Sequence, residues 1–258
     1  MGTKTYSILG CGWLGFPLAK HFIAKGYNIK GSTTSLEKVN DFKAEGITPY
    51  IVNIEENPDF EDFLNTDVLL IMITSKRFEA YQNLVQTIET SSVKKVIFIS
   101  STSVYPRGNK TYTETDETID SLLTQVEALF RNNTTFKTTI IRFAGLFGGQ
   151  RQPGNWFKDK EIPQPNGFVN MIQRDDCIAI ISKIIEFDVF GETFNACANH
   201  HPTRKTFYIQ ARKSLGKPIP VFNDSQPLQY KKISPEKLIK TLDYKFLHSD
   251  LLYALGKT

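Results

Sequence analysis

Cysteine, methionine and tryptophan are scarce in this sequence. The 258 residues include three cysteines, three methionines and two tryptophans. Cys11, Cys177 and Cys197 lie far apart and form no C-x-x-C pair, which argues against a dithiol redox motif, a zinc-finger spacing or a disulfide framework. We therefore expect reduced thiols, as in a cytoplasmic protein.

Long apolar runs and a strong charge excess are also absent. No run approaches the roughly 20 apolar residues that cross a membrane, and the first apolar run, at residues 6–9, is shorter than a signal peptide requires. The 31 basic and 27 acidic residues are interspersed and leave a net charge of +4. This balance gives little support to nucleic-acid or membrane partners. We expect a soluble, cytoplasmic globular protein.

The sequence is organised around a glycine-rich turn near its start. A short apolar run leads into glycines at G-x-G-x-x-G spacing, and a helical pattern follows at once. Strand, glycine turn and helix together form the dinucleotide-binding fingerprint, in which Gly10 permits the turn, Gly12 admits a pyrophosphate and Gly15 lets helix and strand pack closely. A turn without a ligand is the alternative. The predicted cofactor-binding residues here are Gly10, Cys11, Gly12, Trp13, Leu14 and Gly15.

The second predicted strand, residues 27–31, leads into a run of hydroxyl residues. An NAD-preferring site usually carries Asp or Glu there, because the carboxylate binds the ribose hydroxyls. This chain has Ser32, Thr33 and Thr34, and the nearest acid, Glu37, lies inside the next predicted helix. With Lys38 these hydroxyls suit a 2′-phosphate, so we predict NADP before NAD. An ordinary polar loop is the alternative.

The rest of the chain alternates predicted strands and helices. Apolar runs at residues 67–73 and 95–100 are typical of strands buried on both faces, and a short helix is predicted to start at Asn57–Pro58. Repeated strand–helix units predict an α/β fold with a doubly wound parallel sheet. The carboxyl ends of its strands share one edge, where ligands bind. Further cofactor-binding residues are predicted at that edge: Ile73, Thr74 and Ser100.

Further motifs follow the glycine turn in a recognisable order. They are ISSTSVYP at 99–106, IIRFAGLFG at 140–148, FVNMIQRDD at 168–176, ETFNACANHHPT at 192–203, LGKPIP at 215–220 and KKISPEKL at 231–238. As an ordered set they resemble the extended short-chain dehydrogenase/reductases, the NAD(P)-dependent epimerase/dehydratase type, over nearly the whole chain. The resemblance implies a Rossmann-type dinucleotide-binding domain, residues 1–147. Residues 148–258 would add late strands and a small substrate lobe, in a monomer or a homodimer.

The resemblance also assigns roles to residues. Ser101, three positions before the Val104–Tyr105 pair, corresponds to the hydroxyl that bonds the reacting oxygen of the substrate, and Ala144 lies at the nicotinamide end of the cofactor site. A serine that only bonds backbone groups at a strand end is the alternative for Ser101. We interpret Tyr105 as a packing or cofactor-side residue and place Tyr112 on a polar loop.

The chain departs from the family at its acid–base pair. The family uses a tyrosine as base and a lysine four residues later, which lowers the pKa of that tyrosine. Alignment on Glu127 puts Ile119 and Leu123 at these two positions, and no Y-x-x-x-K occurs between residues 100 and 140. The resemblance therefore implies an NAD(P)-binding oxidoreductase-like protein for a nucleotide-linked or other small carbonyl or hydroxyl compound. A catalytically silent dinucleotide-binding protein, for redox sensing or partner binding, stays open.

Two further features of the sequence resemble ligand sites. In the glycine-rich loop 148–156, Arg151 and Trp156 are candidates to clamp a phosphate and to stack on a base or sugar, and exposed loop residues are the alternative. His200 and His201 are adjacent, so they cannot both face one metal ion, and no carboxylate lies in a suitable register. We predict a solvated turn there and no metal site.

Overall fold

The computed structural model describes residues 3–56, 60–157 and 160–256. The strands in this part of the chain are β1 (Thr5–Leu9), β2 (Asn28–Thr33), β3 (Thr48–Ile51), β4 (Val68–Ile71), β5 (Lys95–Ser101), β6 (Thr111–Tyr112), β7 (Lys137–Phe143), β8 (Gly145–Phe147), β9 (Ile162–Pro163), β10 (Met171–Gln173), β11 (Thr193–Ala196), β12 (Phe222–Asn223) and β13 (Lys232–Ile233). The α-helices are α1 (Gly15–Ala24), α2 (Val39–Ala44), α3 (Phe78–Glu89), α4 (Leu122–Arg131), α5 (Arg174–Glu186), α6 (Arg204–Lys213), α7 (Glu236–Leu242) and α8 (Leu251–Ala254).

Seven strands form the central sheet, in the order β11-β7-β5-β4-β1-β2-β3. The pairings of β1 with β2 and β4, of β2 with β3 and of β4 with β5 are parallel. From β1 the chain first builds the sheet towards β3 and then returns to the other side of β1 with β4. This reversal is the topological switch point at which open α/β sheets bind ligands. The predicted doubly wound parallel α/β fold is confirmed.

The chain divides into two compact units, and the first comprises residues 1–100, 120–141 and 184–193. Its core joins sheet residues such as Leu69 and Phe98 to Leu84 of α3 and Phe130 of α4, all buried. The rings of Phe98 and Phe130 stack with their centroids 5.0 Å apart. Each such side chain stabilises the fold by roughly 1.5–3 kcal/mol when fully buried.

The second unit comprises residues 101–119, 142–183 and 194–258. Three short parallel pairs lie in it, β8 with β10, β9 with β12 and β6 with β13. Its core includes Phe147, Met171, Phe207 and Leu251. The predicted division into residues 1–147 and 148–258 stays a prediction, because compactness alone does not show which segments fold independently.

Some local elements differ from their predictions. The predicted helix that contains Glu37 is divided into a 3₁₀ turn at Leu36–Lys38 and helix α2, and the side chain of Ser35, which precedes the turn, makes no capping hydrogen bond. The predicted helix start at Asn57–Pro58 lies outside the described residues. In the described part of the chain, no helix is both long enough and apolar enough to span a membrane.

Candidate functional site

The glycine turn between β1 and α1 leaves no room for side chains at two of its glycines. Gly10 has φ +95°, and a Cβ there would lie 2.7 Å from Cγ2 of Ile73 and 2.9 Å from the carbonyl oxygen of Met72. A Cβ on Gly15 would lie 2.7 Å from the carbonyl oxygen of Gly10. Both separations are shorter than van der Waals contact, so these two positions require glycine.

Gly12 differs, because it faces open space. No atom lies within 4 Å of the position that a Cβ on Gly12 would take, and the residue is exposed. Helix α1 begins three residues later without a side-chain cap and without an acidic residue in its first turn. A helix start of this kind presents free N–H groups and the positive end of the helix dipole to an anion. The turn therefore fits the pyrophosphate of a dinucleotide.

Ser32 of β2 holds this turn in place. Its Oγ accepts a hydrogen bond of 2.8 Å from the N–H of Gly10, and its carbonyl oxygen accepts one of 2.9 Å from the N–H of Cys11. Ser32 is only 2% exposed, so its hydroxyl is directed into the protein. Of the residues predicted to face the adenosine ribose, Thr34 and Lys38 are exposed.

Cys11 lies under the turn as a neutral thiol. Burial raises the pKa of Cys11 to about 12, and the positive charge of Lys38 opposes this shift. A thiol with such a pKa is neither a nucleophile nor a metal ligand at neutral pH. Cys11 thus contributes packing and its backbone to the turn.

The predicted cofactor site also includes residues at the ends of β4 and β5. The segment after β4 is held by Tyr81, whose hydroxyl accepts a 3.0 Å hydrogen bond from the N–H of Ser75, and Thr74 is exposed in that segment.

At the end of β5, the hydroxyl of Ser100 donates to Oε1 of Glu127 at 2.5 Å. Glu127 is 1% exposed, and its other oxygen accepts from Arg131 at 2.9 Å. The hydrogen bond between Ser100 and Glu127 therefore connects α4 to the end of β5.

Ser101 and Ala144 lie in the second unit. The Oγ of Ser101 accepts the N–H of Ser103 at 3.1 Å, and the side chain is half-buried. Its hydroxyl proton meets no acceptor among the described residues, so it remains available for donation to a ligand. Ala144 is buried and its N–H donates to the carbonyl oxygen of Ala196 at 3.0 Å, so its side chain contributes shape and no polar group.

Comparison with known proteins places the chain in a family. Residues 5–122 match the model of the NAD binding domain of 6-phosphogluconate dehydrogenase. Over 268 residues the chain is 30% identical to protein YeeZ of Escherichia coli (strain K12), and the match covers 96% of this chain and 98% of that protein. The chain belongs to the YeeZ family.

Solved structures share the fold of this YeeZ-family member at low sequence identity. UDP-glucuronic acid 4-epimerase from Bacillus cereus, in complex with UDP-glucuronic acid and NAD, has a TM-score of 0.80 at 17% identity, covering 97% of this chain and 96% of that one. Human epimerase family protein SDR39U1 with NADPH has a TM-score of 0.75 at 14% identity, covering 98% of both chains. These structures have the predicted Rossmann-type fold, and the match over residues 5–122 confirms the predicted dinucleotide-binding region. The relationship to the extended short-chain dehydrogenase/reductases stays a prediction.

Ile119 and Leu123 are the residues aligned from the sequence with the tyrosine and lysine of the short-chain dehydrogenase/reductases. Ile119 is 43% exposed, and its N–H donates to the carbonyl oxygen of Val104 at 2.8 Å. Leu123 lies in the first turn of α4 and packs against the core of the first unit. Neither side chain can move a proton.

Tyr105 and Tyr112 are packing residues in this YeeZ-family member. The hydroxyl of Tyr105 accepts from Nη1 of Arg142 at 2.7 Å and donates to Oδ1 of Asn195 at 2.9 Å. Burial raises the pKa of Tyr105. Tyr112 is 3% exposed and its ring lies 5.2 Å from that of Tyr105. The prediction that Tyr112 lies on a polar loop was wrong, because the residue belongs to strand β6 and its ring is buried.

The histidine pair is not a solvated turn. Nδ1 of His200 accepts the N–H of Leu251 at 3.2 Å, and Nδ1 of His201 lies 3.3 Å from the carbonyl oxygen of Val169. Both histidines are half-buried. Within the described ranges, no group of three or more His, Cys, Asp or Glu side chains is arranged to hold a metal ion.

The sequence did not single out three basic residues that line one cavity of the second unit, Arg107, Arg204 and Lys231. Each is an ordinary cation in a polar stretch, and only the fold brings them together. Arg151 and Trp156, which the sequence did single out, lie elsewhere. Arg151 is exposed on a tight turn with Gly148, and Trp156 is half-buried against the core of the second unit.

Proposed function

We propose that this protein is an NAD(P)-dependent oxidoreductase acting on a small carbonyl or hydroxyl compound, nucleotide-linked compounds included. The observation that carries the proposal is the glycine turn, in which Gly12 faces open space beside an uncapped helix start. When bound, the nicotinamide ring accepts or donates a hydride. The Bacillus cereus epimerase, which shares the fold, binds NAD together with a sugar nucleotide, and this supports the same class of cofactor and reaction here.

The residues of the turn have separate tasks in this proposal. The backbone between Gly10 and Gly15 would hold the pyrophosphate, and Ser32 keeps that backbone in position through its 2.8 Å bond to Gly10. Thr34 and Lys38 are exposed next to this segment, and no carboxylate takes the usual place for the ribose hydroxyls. We therefore propose NADP as the preferred cofactor, because a 2′-phosphate is favoured by a nearby cation.

Ser101 is the proposed partner of the reacting oxygen. Its Oγ is already an acceptor for Ser103, which orients the hydroxyl and leaves its proton for donation. A hydrogen bond from this proton would stabilise negative charge on a substrate oxygen. The proton that completes the reaction would come from water, from Ser101 or from the substrate.

A second candidate function is a catalytically silent dinucleotide-binding protein, used for redox sensing or partner binding. The observation that favours it is the apolar pair, Ile119 and Leu123, at the positions of the family's base and its lysine. Both functions use the glycine turn in the same way. They differ only in whether a substrate is turned over.

The experiment is a titration of the protein with NADPH and with NADH, followed by nicotinamide fluorescence. We expect saturable binding of both, with NADPH at least tenfold tighter. Carbonyl, hydroxyl and sugar-nucleotide compounds are then screened for a change in nicotinamide absorbance, with Ser101→Ala as the comparison. Turnover that Ser101→Ala lowers supports the oxidoreductase, and binding without any turnover supports the silent protein. Binding of neither nucleotide would refute both.

Two general properties are proposed with this function. A cytoplasmic location follows from the reduced thiols expected of the sequence, and fractionation of cells tests it. A monomer or a homodimer is the expected state, and light scattering of the purified chain tests that.

A further inference from the structure

A cavity of about 200 Å³ lies within the second compact unit. The charged residues that line it are all basic: Arg107 follows β5, Arg204 begins α6, and Lys231 precedes β13. The other described lining residues are uncharged, among them Phe168, Tyr208 and Tyr230. The cavity therefore combines three cations with aromatic side chains and includes no acidic residue from the described part of the chain.

Arg107 is close enough to Arg204 and to Lys231 to affect both charges. The pKa of Arg204 is lowered, first by burial and also by the charge of Arg107. The pKa of Lys231 is lowered by the same two causes. Like charges held together in a partly buried place destabilise the fold unless an opposite charge offsets them. No carboxylate among residues 3–56, 60–157 and 160–256 forms an ion pair with any of the three.

Packing nevertheless holds these cations in position. Nε of Arg204 donates to the carbonyl oxygen of Pro163 at 2.8 Å, and the guanidinium lies 5.6 Å from the ring centre of Tyr208. Nζ of Lys231 donates to the carbonyl oxygens of Thr102 and Tyr105 at 2.8 Å and 2.6 Å. These bonds use part of the donor capacity of each cation. The remaining nitrogen protons have no acceptor among the described residues.

The polar groups left over around the cavity include further hydrogen-bond donors. The hydroxyl of Tyr208 makes no hydrogen bond with the described residues, although the side chain is buried. Asn170 also lines the cavity, and both of its side-chain polar atoms are engaged: Nδ2 donates to the carbonyl oxygen of Lys231 and Oδ1 accepts from the N–H of Ile233, both at 2.9 Å. A ligand that satisfies free cations and a free hydroxyl must accept hydrogen bonds and carry negative charge.

We propose that this cavity binds a small organic anion, a phosphate monoester or a carboxylate, which is the substrate. Its volume of about 200 Å³ is below the roughly 300–1,000 Å³ of sites for drug-sized ligands, so a nucleotide diphosphate sugar exceeds it. The rings of Phe168 and Tyr230, in a T-shaped pair with centroids 5.0 Å apart, would contact the carbon skeleton. Binding of the anion is independent of the proposed function, whereas its role as substrate rests on that function.

The test measures anion affinity of the full-length protein by calorimetry at constant ionic strength, with inorganic phosphate, acetate and UDP-glucose as probes. We expect phosphate or acetate to bind saturably and UDP-glucose to bind no more tightly than phosphate. The key variant is Arg107→Gln, because Arg107 is exposed and makes no hydrogen bond with described residues, so the fold should tolerate it. Arg107→Gln should weaken anion binding at least tenfold.

Two control variants locate the bound anion. Lys205→Gln removes the same charge beside Arg204, at an exposed residue that does not line the cavity, and should change the affinity less than twofold. Gly12→Val blocks the glycine turn, so phosphate binding that persists in this variant and is weakened in Arg107→Gln lies in the cavity. Loss of phosphate binding in Gly12→Val but not in Arg107→Gln would place the phosphate at the glycine turn and overturn the proposal.

Other results would overturn the proposal as well. Absence of binding by both phosphate and acetate would refute an anion site. UDP-glucose binding that is tenfold tighter than phosphate binding and is lost in Arg107→Gln would refute the size argument. Nicotinamide binding is measured separately, so a protein that binds phosphate here but no nicotinamide dinucleotide would lose the proposed function and keep the anion site.

Discussion

Replacing Gly12 should separate cofactor binding from folding. No atom lies within 4 Å of a Cβ at this position, and Gly12 does not have the positive φ that side chains avoid. We therefore expect Gly12→Ala and Gly12→Val to change the free energy of unfolding by less than about 0.5 kcal/mol. The new side chain would occupy the space through which the pyrophosphate reaches the backbone. Affinity for NADPH should fall at least tenfold, which corresponds to about 1.4 kcal/mol.

Gly10→Ala and Gly15→Ala are matched changes in the same turn. Unlike the Gly12 variants, both should lower the free energy of unfolding. At Gly10 the new methyl group meets atoms at 2.7 Å and 2.9 Å and the residue has φ +95°. Strained φ costs about 1–3 kcal/mol, and overpacking costs a further 1–3 kcal/mol or so. Gly10→Ala should therefore lower the free energy of unfolding by about 2–6 kcal/mol. Gly15→Ala should also be destabilising, because its methyl group lies 2.7 Å from the carbonyl oxygen of Gly10.

The assay for this set is urea unfolding followed by circular dichroism, together with NADPH titration by fluorescence. The reasoning requires Gly12→Val to unfold like the unchanged protein and to bind NADPH poorly. If Gly12→Val kept NADPH affinity within twofold, the pyrophosphate would not approach the backbone at Gly12. If it unfolded as readily as Gly10→Ala, the space beside Gly12 would not be open.

Three other parts of the molecule give further predictions. Glu127→Ala should lower the free energy of unfolding by about 1.5–3 kcal/mol, because the buried Glu127 carboxylate accepts hydrogen bonds from Ser100 and Arg131. Glu127→Gln keeps an acceptor oxygen and should lower it less. Equal urea midpoints for the two variants would contradict this. Cys11, with its pKa raised to about 12, should not react with a disulfide reagent at pH 8 until the protein is unfolded, and rapid labelling of the native chain would contradict its burial. Burial lowers the pKa of His201, so the folded state binds fewer protons than the unfolded state. The free energy of unfolding should therefore fall as the pH drops below about 6.5, by at most about 1.4 kcal/mol per pH unit. The melting temperature of His201→Gln should drop less between pH 7.5 and pH 5.5 than that of the unchanged protein.

The fold was predictable from the sequence because its signals are local. The run Val68–Ile71 is fully buried, as a strand covered on both faces must be. The stripe on α3 from Tyr81 to Ile88 faces the core as its helical spacing indicates. The turn at Gly10–Gly15 is likewise a contiguous pattern. Each of these depends on residues a few positions apart, and periodicity reports such arrangements directly.

The parts of the site that were not predictable depend on partners distant in sequence. Ser32 was predicted to face a ribose, yet its hydroxyl bonds Gly10 across two neighbouring strands. Nothing in the local pattern distinguishes a hydroxyl that turns inward from one that turns outward. The cavity cations Arg107, Arg204 and Lys231 come from three separate segments. No spacing rule joins them, so only the tertiary fold brings them to one cavity.

The two serines at the end of β5 differ in the use of their hydroxyl protons. Neighbouring residues of a strand face opposite sides. The hydroxyl of Ser100 donates a hydrogen bond to Glu127, whereas the hydroxyl of Ser101 accepts one from Ser103 and donates none to the described residues. The proposed function assigns the reacting oxygen of the substrate to the Ser101 hydroxyl, and the side chains of Ile119 and Leu123 carry no polar group that could replace it. We therefore predict that any turnover depends on Ser101, and turnover that Ser101→Ala leaves unchanged would contradict this.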